Sequence, residues 1–278
     1  MSILHCGAYR LSLDRPLLMG IVNLTPDSFS GDGLAHDIAH AIDHARSQLE
    51  AGADLLDIGA ESSRPGAIPT PEDEELRRLL PVLREITRWG VPISVDTYKP
   101  RVMAAALKAG ATMINDICGM ENPEALRVVA GSDCAVCVMH MQGEPGTMQQ
   151  APSYRNVVEE VRQYLAEARE RCAEVGVSDE RLVLDPGFGF GKSLEHNLAM
   201  FRALDQFEQE GLPVLVGVSR KTMLGTLTGR PVEQRQAASV AAALLAAQRG
   251  ASIIRVHDVA ATKDALTVWR AIEGKEND

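Results

Sequence analysis

Eight short apolar runs, each with polar or charged residues in or just past its carboxyl end and each followed by a helical stretch, constrain this 278-residue chain more than any other feature. They are Leu17–Asn23, Leu55–Gly59, Ile93–Asp96, Thr112–Asp116, Ala135–His140, Leu182–Asp185, Val214–Val218 and Ile253–His257. A strand buried on both faces reads as a continuous apolar run. Strands that alternate with helices predict a parallel sheet. Eight such units, recurring at roughly 33 residues between Asn23 and Arg255, predict a single (β/α)₈ barrel, the TIM-barrel plan. No linker or low-complexity stretch divides the chain, so residues 1–278 are read as one domain.

The punctuation agrees. Gly52, Gly110 and Gly250 each stand between a helical stretch and the next run, where glycine takes the left-handed conformation without a Cβ penalty. Thr70-Pro71-Glu72-Asp73 and Asn122-Pro123-Glu124 read as helix starts, with proline in the first turn. Ala8–Leu13 alternates in character and predicts a small strand pair closing the barrel floor. Gln236–Gln248 is apolar nearly all round, so a second partner is expected over its outer face, which points to a homodimer.

Charge and cysteine usage narrow the partners. The net charge of −10 argues against nucleic acid and anionic membranes. It leaves room for a small anionic substrate met by a local cluster of cations. The N-terminus lacks a signal-peptide core, and Val240–Ala247 is too short to span a bilayer. Five cysteines, an odd number, fit a reducing cytoplasm. Cys134 and Cys137 form one CxxC inside a strand-like segment and are expected to be buried thiols.

The segment Arg181–Lys192, RLVLDPGFGFGK, offers two phosphate-binding patterns and satisfies neither. GxxxxGK[ST] requires glycine where Pro186 stands, and Gly187, Gly189 and Gly191 are spaced GxGxG instead of GxGxxG. The glycines are better read as allowing close backbone approach to a ligand held by Asp185.

The active-site face of a barrel is the carboxyl end of its strands. Here those ends give Asn23, Asp57, Asp96, Asn115 with Asp116, Met139 with His140, Asp185, Ser219-Arg220-Lys221, and Arg255 with His257. Any one of these has a bland reading as a turn or cap residue; eight around one mouth do not. Asp96, Asn115 and Asp185 suit a heterocycle that presents adjacent N–H donors. Lys221, Arg255 and His257 suit carbonyl and phosphate oxygens. The expected ligand is therefore bipolar, with a flat donor-rich ring at one end and an anion at the other. Two long loops, Thr25–His36 and Ala60–Pro71, have the length of lids.

These residues resemble the dihydropteroate synthase family over nearly the whole chain. The matching segments are Gly20–Ser30 (GIVNLTPDSFS), Asp57–Gly66 (DIGAESSRPG), Ser94–Thr97 (SVDT), Ile114–Ile117 (INDI), Val138–Gly143 (VMHMQG), Leu184–Lys192, Ser219–Lys221 (SRK) and Ile254–Asp258 (IRVHD). The resemblance implies a TIM barrel with Mg²⁺ that condenses 6-hydroxymethyl-7,8-dihydropterin diphosphate with p-aminobenzoate, and sulfonamides as competitive inhibitors. It implies pterin contacts from Asp96, Asn115, Ile117, Met139, Asp185, Gly217, Lys221 and Arg255. For p-aminobenzoate it implies Phe29, Ser63, Arg64, Pro65, Phe190, Ser219 and Lys221. Diphosphate would meet Asn23, Ser63, Arg64, Arg255 and His257, with Asn23 also on the metal. Asp96, Asp185, Lys221, Arg255 and His257 would carry the catalysis. Two departures stand out: Ser63, where many members have Thr, and SGDG in the first loop instead of SDGG. Competing readings are a pterin-dependent methyltransferase barrel, which needs a corrinoid partner and lacks the SRPG loop; a Schiff-base aldolase using Lys221; and a non-catalytic ligand-binding barrel.

Overall fold

The computed structural model describes residues 2–24, 34–62 and 66–274. The chain opens with an antiparallel pair, β1 (Ile3–Cys6) and β2 (Tyr9–Ser12). The barrel strands follow in alternation with helices. They are β3 (Leu17–Asn23), α1 (Leu34–Glu50), β4 (Leu55–Gly59), α2 (Glu72–Ile86), β5 (Ile93–Asp96), α3 (Pro100–Lys108), β6 (Met113–Asp116) and α4 (Pro123–Ala130). Then come β7 (Ala135–Met139), α5 (Val157–Glu174), β8 (Leu182–Asp185), α6 (Leu194–Arg202), α7 (Leu204–Glu208), β9 (Leu215–Val216), α8 (Thr222–Thr228), α9 (Gln236–Gln248), β10 (Ile253–Val256) and α10 (Val259–Ile272).

The eight strands β3 to β10 form one parallel sheet in the order β8-β7-β6-β5-β4-β3-β10-β9. A single bridge, Leu184 to Val214, joins its two ends, and the Leu184 N–H donates to Pro213 O at 2.8 Å. The seam is narrow because β9 is short. Pro213 precedes it without an N–H to give, and Gly217 follows it. The barrel expected from the eight apolar runs is therefore present, and each expected run matches a strand within two residues at either end.

Strand side chains alternate between the two faces. Leu18, Val22, Leu56, Ile58, Val95, Ile114, Val136, Val138, Leu184, Val216 and Ile254 face outward and join the helices in one large apolar cluster. Leu17, Met19, Leu55, Met113, Ala135, Cys137, Val183, Leu215 and Ile253 face inward and form a second cluster across the lumen. Leu4 and Cys6 of β1 complete that inner cluster, so the hairpin plugs the floor as the alternation of the first residues predicted. With its floor filled by side chains, the lumen can hold a polar site only at its other end.

Local chemistry explains the helix boundaries. Gly52, Gly110 and Gly250 have φ of 99°, 103° and 90°, the left-handed conformation expected of them. Asn122 caps α4 by accepting from the Glu124 N–H at 2.9 Å. The start of α2 departs from expectation. Pro71 occupies the cap position, and no side chain caps the helix. Thr70 instead gives its N–H to Glu61 and its carbonyl to Lys99, whose ammonium also pairs with Glu61 and Glu75. Cys134 and Cys137 are buried free thiols. No helix among the described residues is long and apolar enough to cross a membrane.

Candidate active site

The strand pairings set Asp96 beside Asn115, Gly59 beside Asp96, and Met139 beside Asp185. The polar strand ends therefore stand level at one mouth. At its centre is Arg255 on β10. Its Nε donates to Asp57 Oδ2 at 2.6 Å and its Nη2 to Asp96 Oδ2 at 3.1 Å. Asn115 Nδ2 approaches the same Asp57 oxygen at 3.4 Å. Asp57 is fully buried, whereas Arg255 and Asp96 keep a small exposed edge toward the mouth. Asp57 Oδ1, Asn115 Oδ1 and Ser94 Oγ lie buried without a partner in the protein. Buried polar atoms are normally hydrogen-bonded, so this ring retains acceptor capacity.

Asp57 shows in the sequence only as one more polar position near a strand end, with nothing local to give it a role. The signal was its inward position on β4, in phase with Arg255 on a nearby strand. Asp116 is the opposite case. It faces outward and accepts from the Cys118 and Met120 N–H groups, both at 2.8 Å, so it shapes the turn after β6.

Burial pushes the Asp96 carboxyl up to about 7; the Arg255 charge opposes that rise and the Asp57 charge adds to it. Asp185 is also raised by burial, against the pull of Lys221 and the Gly187 N–H. Burial lowers the Lys221 ammonium to about 8, with Asp185 opposing the fall. An acid held upward and an amine held downward, facing each other across one mouth, mark a functional site.

Asp185 Oδ1 accepts from the Gly187 N–H at 2.7 Å, which aims the carboxylate. The Lys221 ammonium donates to Phe188 O and stands 4.6 Å from the centre of the Phe190 ring. Ile117 and Met139 are buried beside this mouth. Gly217 lies against the Arg255 stem, where a Cβ would make ordinary contact with Arg255 Cβ at 3.7 Å. Asn23 ends β3 half-buried.

The tail of β9 turns sharply. Arg220 has φ of 58°, unusual for a side chain with a Cβ. Its guanidinium holds Asp258 through two bonds of 3.1 and 2.6 Å, and its N–H donates to Ser239 Oγ at 2.9 Å. This bend points Arg220 outward while Ser219 and Lys221 serve the mouth. Ser219 Oγ accepts the His257 N–H at 3.3 Å and lies 3.0 Å from His257 Nδ1.

Asn23, Asp96, Asn115, Ile117, Met139, Asp185, Phe190, Gly217, Ser219, Lys221, Arg255 and His257 thus all sit at the carboxyl ends of the strands or in the turns just beyond. Phe29, Ser63, Arg64 and Pro65 lie outside the described residues. Among the described residues no group of three or more His, Cys, Asp or Glu side chains is placed to hold a metal ion.

A family described as "Pterin binding enzyme" matches residues 19–257. The dihydropteroate synthase of Escherichia coli (strain K12) is 47% identical over 269 residues, spanning 96% of this chain and 95% of its own length. The structure of Xanthomonas albilineans dihydropteroate synthase with 4-aminobenzoic acid superposes with a TM-score of 0.92 at 51% identity, covering 98% of each chain. That of Yersinia pestis dihydropteroate synthase with a sulfonamide drug complex gives a TM-score of 0.93 at 44% identity, covering 98% of this chain and 99% of that one.

Proposed function

The chain belongs to the dihydropteroate synthases among the pterin binding enzymes, and on that premise we propose how its residues carry the condensation of 6-hydroxymethyl-7,8-dihydropterin diphosphate with p-aminobenzoate. The observation that carries the reading is the buried ring of Asp57, Asp96 and Asn115 around Arg255, with Asp185 and Lys221 facing it.

The pterin binds in that ring. Asp96 and Asp185 accept its N–H groups, Asn115 takes a neighbouring edge, and Lys221 and Arg255 donate to its oxygen side. Ile117, Met139 and Gly217 frame the flat ring. Bond breaking at the pterin methylene is dissociative: the C–O bond cleaves, and its electron pair departs with diphosphate. The Asp96 and Asp185 carboxylates stabilise the cationic methylene left behind. The arylamine nitrogen then forms the C–N bond and passes its surplus proton to solvent. Arg255, His257 and Asn23, with Ser63 and Arg64, neutralise the leaving diphosphate, which is electrostatic work that needs no covalent nucleophile. Phe190, Ser219 and Lys221, with Phe29, Ser63, Arg64 and Pro65, hold p-aminobenzoate in line. Sulfonamides, as flat arylamines with an acidic tail, compete there.

Asn23 is half-buried and offers a hard amide oxygen. Such a donor suits Mg²⁺, which keeps waters and takes further oxygens from substrate phosphates. Bound at Asn23, the ion would supply charge to the departing diphosphate.

The chain works as a homodimer through α9. Ser239, Ala242, Ala243, Ala246 and Ala247 bury one face of that helix, while Leu245 on the other is 44% exposed. The five free cysteines suit a reducing cytoplasm.

The test is mass spectrometry of the product formed from pterin diphosphate, p-aminobenzoate and Mg²⁺. The expected result is the mass of 7,8-dihydropteroate with release of diphosphate. Absence of a coupled product would overturn the reading.

A further inference from the structure

Lys192 closes the glycine-rich segment after β8, and no step of the condensation uses it. Its side chain is buried, at 3% exposure. Its Nζ meets three acceptors: His140 Nδ1 at 2.8 Å, Phe190 O at 3.0 Å and His140 O at 3.3 Å. None is a carboxylate, which is a rare setting for a buried lysine. Burial and the nearby Lys192 push the His140 imidazole down to about 3, so the ring is neutral and its Nδ1 can accept a hydrogen bond from Lys192.

The surrounding segment is held by side chains from outside at several backbone groups. Asp185 Oδ1 takes the Gly187 N–H, and Asn197 Oδ1 takes the Gly189 N–H at 2.7 Å. Gln149 donates to Gly189 O at 2.6 Å, and the Tyr154 hydroxyl donates to Gly191 O at 2.8 Å. The GxGxG spacing has a physical reason here. Gly187, Gly189 and Gly191 have φ of 71°, 81° and 60°. A Cβ at Gly187 would fall 1.9 Å from His140 O, and one at Gly191 would fall 2.2 Å from Gln142 O. The segment is therefore pressed backbone to backbone against the turn after β7. Phe188 goes into the core against Phe201, and Phe190 lies against the Lys221 ammonium.

We propose that Lys192 is a positioning residue for the arylamine half of the site: by donating to Phe190 O and bridging to His140, it fixes the Phe190 ring against Lys221. The proposal rests on the functional reading above, which gives Phe190 and Lys221 to p-aminobenzoate. It extends that reading to a residue that touches neither substrate. A methionine in its place would fill the volume and leave Phe190 O and His140 O without their donor. The loop would then relax, and the ring would lose its height.

The experiment compares wild type, Lys192→Met, Phe190→Leu and the double variant, with both substrates and Mg²⁺ present. Lys192→Met should raise KM for p-aminobenzoate by about tenfold, the scale on which small misplacements act. KM for the pterin diphosphate should move much less. In the Phe190→Leu background Lys192→Met should add little, because the two act as a unit. Amide hydrogen exchange of the free protein should show faster exchange across residues 186–192 in Lys192→Met. If Lys192→Met fails to fold, Tyr154→Phe removes another bond to the same segment and should give the same split more weakly. Equal losses for both substrates, additive effects with Phe190→Leu, or unchanged exchange would each overturn the proposal. Wild-type enzyme that makes no dihydropteroate overturns the functional reading instead, and the exchange measurement still reads the lysine's hold on the loop.

Discussion

Arg255 Nε lies 2.6 Å from Asp57 Oδ2, and this pair joins two strands at the centre of the mouth. Asp57 is fully buried, so its charge has no solvent to fall back on. Removing one partner of a buried pair leaves the other uncompensated, at about 3–5 kcal/mol. Asp57→Asn should therefore destabilise the protein by an amount near the lower end of that range, since the amide can still accept one bond. It should also free Arg255 to swing toward Asp96 and impair turnover. Urea unfolding and steady-state kinetics check this. Wild-type stability together with wild-type kcat would show that the pair is incidental.

Asp185→Asn should weaken pterin binding more than Mg²⁺ binding. The carboxylate is aimed by the Gly187 N–H and has one oxygen left for the ligand. An amide there loses one acceptor and its charge assistance, worth about 1.5–3 kcal/mol for a charged hydrogen bond. Titration calorimetry with a pterin and with Mg²⁺ separates the two. Equal loss for both ligands would reject the assignment.

The pH profile should be narrow. Burial raises Asp96 from 3.8 to about 7, so the native state keeps a proton that the unfolded chain releases. Its contribution to stability is present below pH 4 and is lost as pH rises toward 7. Pterin recognition by an ionised Asp96 follows the opposite course and improves through the same window. Lys221 sits near 8, so its ammonium is lost above that. kcat/KM for the pterin diphosphate, which reports the free enzyme, should rise near pH 7 and fall again above 8. Lys221→Arg keeps its charge to high pH and should remove the falling limb, whatever it costs in rate. A profile flat from pH 6 to 9, or a falling limb that survives in Lys221→Arg, counts against these roles.

Much of this was legible in the residues because burial on both strand faces leaves a plain mark. Runs such as Leu182–Val183–Leu184 have no polar residue until the strand ends, and Asp185 then stands where the sheet meets the mouth. The barrel and its polar rim follow from that. What stayed hidden depends on pairing between distant strands. Asp57 is 198 residues from Arg255 in sequence, and nothing local says that one carboxylate will lie beneath the guanidinium while another, Asp96, shares it. His140 read as one more polar strand end, yet its ring turns to a lysine 52 residues away. Thr70 reads as a helix cap, and the half-buried Lys99 claims its carbonyl instead. In each case a long-range partner outweighed the local preference.

The outer face of α9 gives the last prediction. The helix is apolar throughout, yet the barrel buries only one side of it. Leu245 is exposed there, and α9 packs on α10, where Val268 and Ile272 are exposed at 58% and 79%. Ordinary isolated apolar residues need no explanation, but several on adjoining helices mark an interaction surface. A stable homodimer buries about 1,200–2,000 Å² in total and is more apolar when obligate. Leu245→Glu would place a charge in the middle of such an interface, where each protomer of a two-fold pair contributes it once. Light scattering at micromolar concentration should give a dimer for wild type and a monomer for Leu245→Glu. The variant should remain folded by circular dichroism, since Leu245 is outside the barrel core. A wild-type monomer, or a dimer unaffected by Leu245→Glu, would remove α9 as the interface.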